Sequence, residues 1–317
     1  MMLNLEAIKV FLAVAEHGSF SEAGRQIHLS QPAVSQIVQG LERQLEVQLF
    51  IRQGRNAQLT EAGQVLVPMA RELLTSNQRV IQTMLSLHGE VIGEMTIGCS
   101  TTSGKYLLPG MIAQFRRQFP QVRLNVIVTS RDSVINKLTN AEVHLGVSSK
   151  QVEHADLEYQ DFYTDTVILI VPAQHPWAKF RKVFPDDLLD EPMILREELA
   201  GTREVLMDGL HAHDISPDML NVAMVLGNAE AIEIAVEEGL GIAFVSRLAA
   251  ARGLELGRIV EVEVEGMQLS RDIYIFRNRK QPLTRAQTEF WQFIKDGYDV
   301  RNPKTGYQVL ANNEEIA

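Results

Sequence analysis

Apolar residues near the start of the chain fall into three helical stripes. Leu5, Ile8, Phe11, Leu12 and Ala15 recur at helix spacing. Phe20, Ala23, Gly24 and Ile27 mark a second, shorter helix, with Ser19 and Glu22 at the spacing of a capping box. His28 and Leu29 form a tight turn. Ser30 then suits the N-cap of a third helix, with Pro32 in its first turn, where a missing N–H costs little. Val34, Ile37, Val38, Leu41 and Leu45 give that helix its core face. Beyond it, Leu49-Phe50-Ile51-Arg52 and Ala57-Gln58-Leu59 flank Gln53-Gly54-Arg55-Asn56, which predicts a hairpin with a Gly/Asn tip.

The pattern then lengthens. Thr60 suits the cap of a helix reaching to about residue 88, with Glu61 in the favourable first turn. Val65, Leu66, Met69, Leu73, Val80, Ile81, Met84 and Leu85 run along it, and Pro68 is expected to kink it. A helix that leaves its own domain with an apolar stripe needs a partner, and a second copy of the chain is the preferred one. His88-Gly89 and Ile92-Gly93 mark a hinge. From Glu94 onward strands and helices alternate. Strands are predicted at 95–99, 122–128, 143–147, 167–171, 193–195, 222–225, 241–245 and 273–276. Helices are predicted at 107–119, 133–139, 203–211, 229–238 and 284–298. Such alternation argues for parallel sheets with helices on both faces. The expected organisation is a helical winged helix-turn-helix domain (1–60), a linker helix (61–88) and an α/β domain (94–300). The α/β part divides into a first subdomain, about 94–168 plus 273–299, and a second, about 169–272. A polar tail covers 301–317.

Composition narrows the function. The single cysteine, Cys99, excludes a disulfide framework, and its apolar strand-like surroundings mark it as a buried thiol. No apolar run approaches the ~20 residues that span a bilayer, and no signal peptide is evident, so a cytoplasmic protein is expected. The net charge is −10, but residues 1–88 hold seven basic and seven acidic residues, so the whole excess lies in the α/β part. An acidic body repels nucleic acid; affinity for DNA then has to come from local arginines, helix N-termini and doubled contacts.

The polar side of the third helix carries the chemistry. Pro32, Ser35, Gln36, Gln39 and Arg43 project together, with Gln31 at the exposed start. An ordinary solvated face favours Lys and Glu; a Gln/Ser/Arg face can reach base edges, Gln on adenine and Arg on guanine. Ser19 and Ser30 at the helix starts, and Arg52 and Arg55 on the hairpin, complete the candidate DNA contacts, the arginines placed for phosphates.

Residues 3–66 resemble the DNA-binding domain of the LysR-type transcriptional regulators, through the stretches FLAVAEHGSFSEAG, LSQPAVSQIVQGLE, LFIR and LTEAG. The resemblance extends more loosely to about residue 298. It implies a homo-oligomeric regulator, as a dimer or more often a tetramer. It further implies an effector-sensing domain with the fold of periplasmic solute-binding proteins. Where family members often carry Arg or Lys after the Ser-Gln-Pro-Ala-Val-Ser run, Gln36 and Gln39 stand here. The run SGKYLLPGMIAQFRRQFP looks like the branch governing sulfur assimilation or carbon fixation. Where many members have Asp-Leu-Ala or Asp-Leu-Gly, this chain has His144-Leu145-Gly146.

Ligands of open α/β sheets bind beyond the carboxyl ends of strands. There the sequence is hydroxylic: Ser100-Thr101-Thr102, Thr129-Ser130, Ser148-Ser149, Gly201-Thr202 and Gly227-Asn228. Thr202 and Asn228 are expected just before helices, where free N–H groups suit an anion. Each residue alone reads as a helix cap; five clusters together point to an effector cleft, the place where the resemblance puts the inducer. Lys105 and Arg203 are candidate charge partners. An enzyme on the α/β body finds no support. There is no G-x-S-x-G elbow, and Gly239-Leu240-Gly241 lacks a third glycine and precedes a strand. His211 and His213 would lie on different sides of a helix, and Glu233, Glu237 and Glu238 read as a solvated face. No cofactor and no metal is expected. The expected partners are promoter DNA with paired half-sites, a small anionic effector, further copies of the chain and RNA polymerase. The remaining rival is a small-molecule-binding protein whose N-terminal domain only mediates assembly.

Overall fold

The computed structural model describes residues 2–53, 56–86 and 90–295. Arg55, His88-Gly89 and the tail 301–317 lie outside them. The chain opens with α1 (Leu5–His17), α2 (Phe20–Gln26), α3 (Gln31–Leu45), the hairpin β1 (Phe50–Gln53) and β2 (Asn56–Leu59), and α4 (Glu61–Ser86). Side chains start each helix. Asn4 accepts from the Glu6 N–H at 2.8 Å, and Ser19 and Ser30 accept at 3.4 Å from Glu22 and Ala33. The Glu22 carboxylate pairs with Arg25 at 2.5 Å. Between α2 and α3 the turn passes through His28 at φ 57°, and it is tight enough to dictate Gly24. A Cβ there would sit 2.6 Å from the Leu29 carbonyl oxygen. Ile8, Phe11, Val14, Phe20, Val34, Val38, Leu41, Phe50 and Ala57 fuse into one core. Glu42 of α3 ties in the hairpin by accepting from Leu49 N–H at 2.8 Å and Phe50 N–H at 3.2 Å.

Thr60 Oγ1 accepts from Gly63 N–H at 3.0 Å, starting α4, which continues past Pro68 to Ser86. The helix has two apolar faces. Leu66, Ala70 and Leu74 pack on the N-terminal core. Val65, Met69, Leu73, Val80, Ile81, Met84 and Leu85 stay exposed, Met69 by 60%.

The remaining elements are β3 (Gly93–Cys99), α5 (Leu108–Gln118), β4 (Val122–Val128), α6 (Arg131–Thr139), β5 (Leu145–Ser148), β6 (Leu157–Pro172), α7 (Trp177–Phe180), β7 (Lys182–Val183), β8 (Met193–Arg196), α8 (Gly201–His211), β9 (Val222–Leu226), α9 (Ala229–Glu237), β10 (Ile242–Ser246), α10 (Arg247–Glu255), β11 (Ile259–Val264), β12 (Leu269–Asn278) and α11 (Arg285–Lys295). They build one ten-stranded sheet, β4-β3-β5-β12-β6-β10-β8-β9, with β11 pairing β6 and β7. Each end is parallel, as the alternation predicts. The centre is not. β6 and β12 run antiparallel to each other along all ten residues of β12, and antiparallel to their outer neighbours. The sheet is therefore mixed, with two parallel ends joined through two long strands.

The run Val167–Val171 shows why the second end holds together. Val167, Leu169 and Val171 enter one core with Leu206, Leu210 and Phe244; Ile168 and Ile170 enter another with Ile194, Ile232 and Val245. A strand covered on both faces needs no polar alternation. At the first end Met95, Ile97, Leu108, Met111 and Phe115 pack with Ile273, Ile275 and Phe290 from the end of the chain. Cys99 lies in this core, fully buried, and burial pushes its thiol up to about 12. Glu233 departs from the expected solvated face. It is half-buried against Gly253, and burial, with Glu237 beside it, raises its pKa. Glu237 pairs with Arg258 at 3.4 Å.

Candidate nucleic-acid interface and ligand cleft

Helix α3 presents the polar face at the surface. Gln31, Pro32, Gln36, Gln39 and Arg43 are exposed and Ser35 is half-buried, while Val34, Val38 and Leu41 on the other side are fully buried. Arg43 Nε donates to the Gln39 carbonyl at 3.3 Å, which holds the guanidinium along the helix. A shallow groove of about 650 Å³ follows this face, lined by Gln36, Gln39, Glu42, Arg43, Glu46, Val47 and Gln48. The Ser19 and Ser30 oxygens accept the cap hydrogen bonds, a role that leaves the O–H donor of each for another acceptor. Arg52 lies on β1 in register with Ala57; Arg55 is outside the described residues.

The second candidate site lies where the two ends of the large sheet meet. At the crossover, Asp165 of β6 and Arg271 of β12 are register partners. Asp165 is fully buried. It accepts from Arg271 Nε at 2.9 Å and Nη2 at 2.7 Å, and from Ser246 Oγ at 2.6 Å. Arg271 Nη2 also donates to Thr102 Oγ1 at 3.3 Å. Gly201, at the start of α8, closes over this cluster. A Cβ there would lie 2.6 Å from Ser149 Oγ and 2.8 Å from Arg271 Nη1, so a larger residue would have to push the ends of those two side chains aside. The next residue, Thr202, is 2% exposed, and its Oγ1 has no hydrogen-bond partner among the described residues.

The structure thus brings Thr102, Ser149, Gly201 and Arg271 together, with Thr202 next in the chain. The other hydroxyls are turned to local work. Ser100 Oγ is 3.3 Å from Ser103 Oγ, and buried Ser148 closes a turn on Lys150. Thr101 is half-buried in the helical turn after β3. One expectation is corrected: Thr202 lies inside α8, which starts a residue earlier, at Gly201. Asn228 stands just before α9, as expected, and as its N-cap the side chain accepts from Glu230 and Ala231 N–H. Arg203 donates to the Arg196 carbonyl at 2.8 Å, so it braces the chain after β8.

Of the groups that pair across the two halves, sequence reasoning named Lys105 and missed Tyr106, Arg131, Lys150 and the two glutamates they hold. Lys105 and Tyr106 hold Glu230, the tyrosine hydroxyl at 2.8 Å. Arg131 at 2.9 Å and Lys150 at 3.2 Å hold Glu204. Bonding to Lys105 keeps the Glu230 carboxyl below its ordinary range. For Glu204 burial pushes upward, but Arg131 and Lys150 outweigh it and the net shift is down. The only sequence signal was charge: acids in the first turns of α8 and α9, bases before and after strands of the other end. Where the resemblance led one to expect Asp, His144 has a clear role. Its Nδ1 accepts from Thr96 N–H at 2.8 Å, and its own N–H donates to the Thr96 carbonyl at 2.8 Å. Among the described residues no cluster of His, Cys, Asp and Glu could hold a metal ion, and no helix is long and apolar enough to cross a membrane.

Comparison with known proteins agrees with this architecture. Residues 5–64 match the model of the bacterial regulatory helix-turn-helix proteins of the lysR family, and residues 88–299 match the LysR substrate binding domain. A probable RuBisCO transcriptional regulator of Cyanidioschyzon merolae is 34% identical over 292 residues, covering 91% of this chain and 96% of that protein. A full-length OxyR from Pseudomonas aeruginosa superimposes with a TM-score of 0.69 at 22% identity, covering 93% of this chain and 98% of that one. Full-length CbnR in complex with its target DNA gives 0.67 at 22% identity, with 93% and 99% covered. The chain belongs to the LysR family of helix-turn-helix transcriptional regulators.

Proposed function

We propose that this regulator reads promoter DNA through Gln31, Pro32, Ser35, Gln36, Gln39 and Arg43, with Ser19, Ser30, Arg52 and Arg55 at the phosphates. The observation that carries this is the two-sided α3, a fully buried apolar side opposite an exposed face of glutamines and one arginine. The proposed organisation is a DNA-binding domain 1–60, a linker helix 61–88 and an effector domain 94–300. The exposed stripe of α4 pairs two copies, as a dimer or within a tetramer, so the operator carries two half-sites. A small anionic effector binds in the cleft around Thr102, Ser149, Thr202 and Arg271. It changes the relative placement of the paired α3 helices, and with it contact to RNA polymerase, in the cytoplasm. Coupling of ~1–3 kcal/mol is enough to alter DNA bending without release. The RuBisCO regulators among its relatives support carbon-fixation promoters, beside the one upstream of its own gene, as the first targets to test.

The test is a filter-binding titration of the full chain against those promoters at several salt concentrations. A saturable, salt-dependent complex is expected, and the triple substitution of Gln31, Ser35 and Gln39 by alanine abolishes its preference over random DNA. A folded, oligomeric triple variant that keeps the preference overturns the reading. The assembly-only rival predicts no saturable complex at all.

A further inference from the structure

Cations of one half of the sheet domain reach across the cleft, and in each case a glutamate of the other half already occupies them. Lys105 and Tyr106 are taken by Glu230; Arg131 and Lys150 are taken by Glu204. The two stations are built alike. Each glutamate stands in the first turn of a helix, α9 or α8, where a negative charge is favoured. Each meets two donors from the opposite half. The side chains are 20–51% exposed, and pairs so exposed contribute little to folding. One helical turn holds both Glu204 and Thr202, whose buried Oγ1 has no partner among the described residues, and a Cβ at Gly201 would meet Arg271 Nη1. The cations around the two glutamates and the buried Thr202 hydroxyl thus gather on facing elements of the two halves.

We propose that Glu204 and Glu230 are built-in stand-ins for the acidic groups of the effector. The inference rests on reading this cleft as the effector site. A small molecule with carboxylate or phosphate groups binds by displacing them from Arg131–Lys150 and Lys105–Tyr106. Exchange of one anion for another keeps the cations neutralised throughout, so the protein does not have to strip bare charges. A neutral molecule of the same shape offers no such exchange and is rejected. The freed glutamates then face the like charge of the ligand, and that repulsion moves one half against the other.

The test uses the full chain and inorganic phosphate as the probe, read as the shift of the thermal unfolding midpoint against sodium chloride at matched ionic strength. The proteins are wild type, Glu204→Gln, Glu230→Gln, the double glutamine variant and Lys105→Met/Arg131→Met, each checked for native circular dichroism. The double glutamine variant is expected to bind phosphate about tenfold more tightly than wild type, within the usual range of such coupling, and each single variant by part of that. Lys105→Met/Arg131→Met loses the phosphate-specific shift. Glutamine variants with wild-type phosphate affinity overturn the stand-in role, while loss of the shift in Lys105→Met/Arg131→Met alone leaves the cleft an anion site. A shift that survives that pair of substitutions places the anion elsewhere and overturns the cleft reading along with the proposal. A phosphate-specific shift in none of the proteins overturns the anionic class and the proposal with it.

Discussion

Removing the carboxylate of Asp165 tests the crossover directly. Asp165→Ala deletes the acceptor of three hydrogen bonds, from Arg271 Nε, Arg271 Nη2 and Ser246 Oγ. It also strands a guanidinium whose side chain is only 10% exposed. Breaking a buried pair on one side costs about 3–5 kcal/mol, because the remaining charge has nothing to face. For a domain of this size each kcal/mol lowers the melting midpoint by about 2–4 °C, so a fall of roughly 10 °C is expected. The pair Asp165→Leu/Arg271→Met removes both charges and fills the volume, and it is expected to recover most of the loss. Circular-dichroism melts of wild type, Asp165→Leu, Arg271→Met and the double variant give a cycle with a coupling of about 2–3 kcal/mol. The reasoning is refuted if Asp165→Ala melts within 2 °C of wild type (roughly 1 kcal/mol or less), or if the single effects simply add. The site matters beyond stability. Asp165 and Arg271 pair across the joining strands, Thr102 reaches them from one half, and Ser246 caps α10 in the other.

Other outcomes follow from single side chains. Burial holds the pKa of His144 below its ordinary 6.5, so the unfolded chain takes a proton that the folded chain refuses. Stability is complete above pH 6.5 and is lost as pH falls below it. His144→Asp, whose carboxylate can accept the same Thr96 N–H, is expected to flatten that loss in denaturant titrations between about pH 5 and 6.5, and an unchanged slope would contradict the assignment. Gly24→Val forces the turn between α2 and α3 apart at the Leu29 carbonyl and is expected to cost about 1–3 kcal/mol, with promoter binding falling in parallel. Cys99, with its thiol pushed up to about 12, is expected to resist iodoacetamide in the native protein and to react only in urea; rapid native labelling, read by mass, would show the core to be open there.

The helix-turn-helix was legible because its signals are local: caps at Ser19 and Ser30, a turn at His28, and one apolar stripe per helix. The parallel ends of the sheet were legible for the same reason. Between Val245 and Ile273 the structure supplies what the reading left out. β11 there alternates valine and glutamate over IVEVEV, and α10 starts from the Ser246 cap. β6 extends ten residues before its apolar run, because Leu157–Thr166 pairs with β12 through a polar-looking sequence. The heart of the cleft was not legible. Asp165 and Arg271 lie 106 positions apart and meet only through strand register. The polar clusters after the strands, which looked alike in sequence, divide according to whether a helix start claims the side chain, as at Asn228, or leaves it without a partner among the described residues, as at Thr202.

The placement of α4 constrains how a bound effector can act. Its inner face is part of the N-terminal core through Leu66, Ala70 and Leu74. The same helix is fastened to the first half of the sheet domain. Arg71 pairs with Glu142 at 2.9 Å, Glu142 also holds Lys137 at 2.6 Å, and Arg79 donates to the Pro282 carbonyl at 3.5 Å. These contacts join α4, and with it the helix-turn-helix, to the first half, and none of them involves the second half. The signal needs a second copy against which the moving half can push. Met69→Glu/Val80→Glu places like charges on the exposed stripe and is expected to convert the protein to monomers in sedimentation velocity. Such monomers keep effector binding and lose any effector-dependent change in promoter footprint. A monomer that still showed that change would mean that the second half acts on the DNA-binding domain through its own chain.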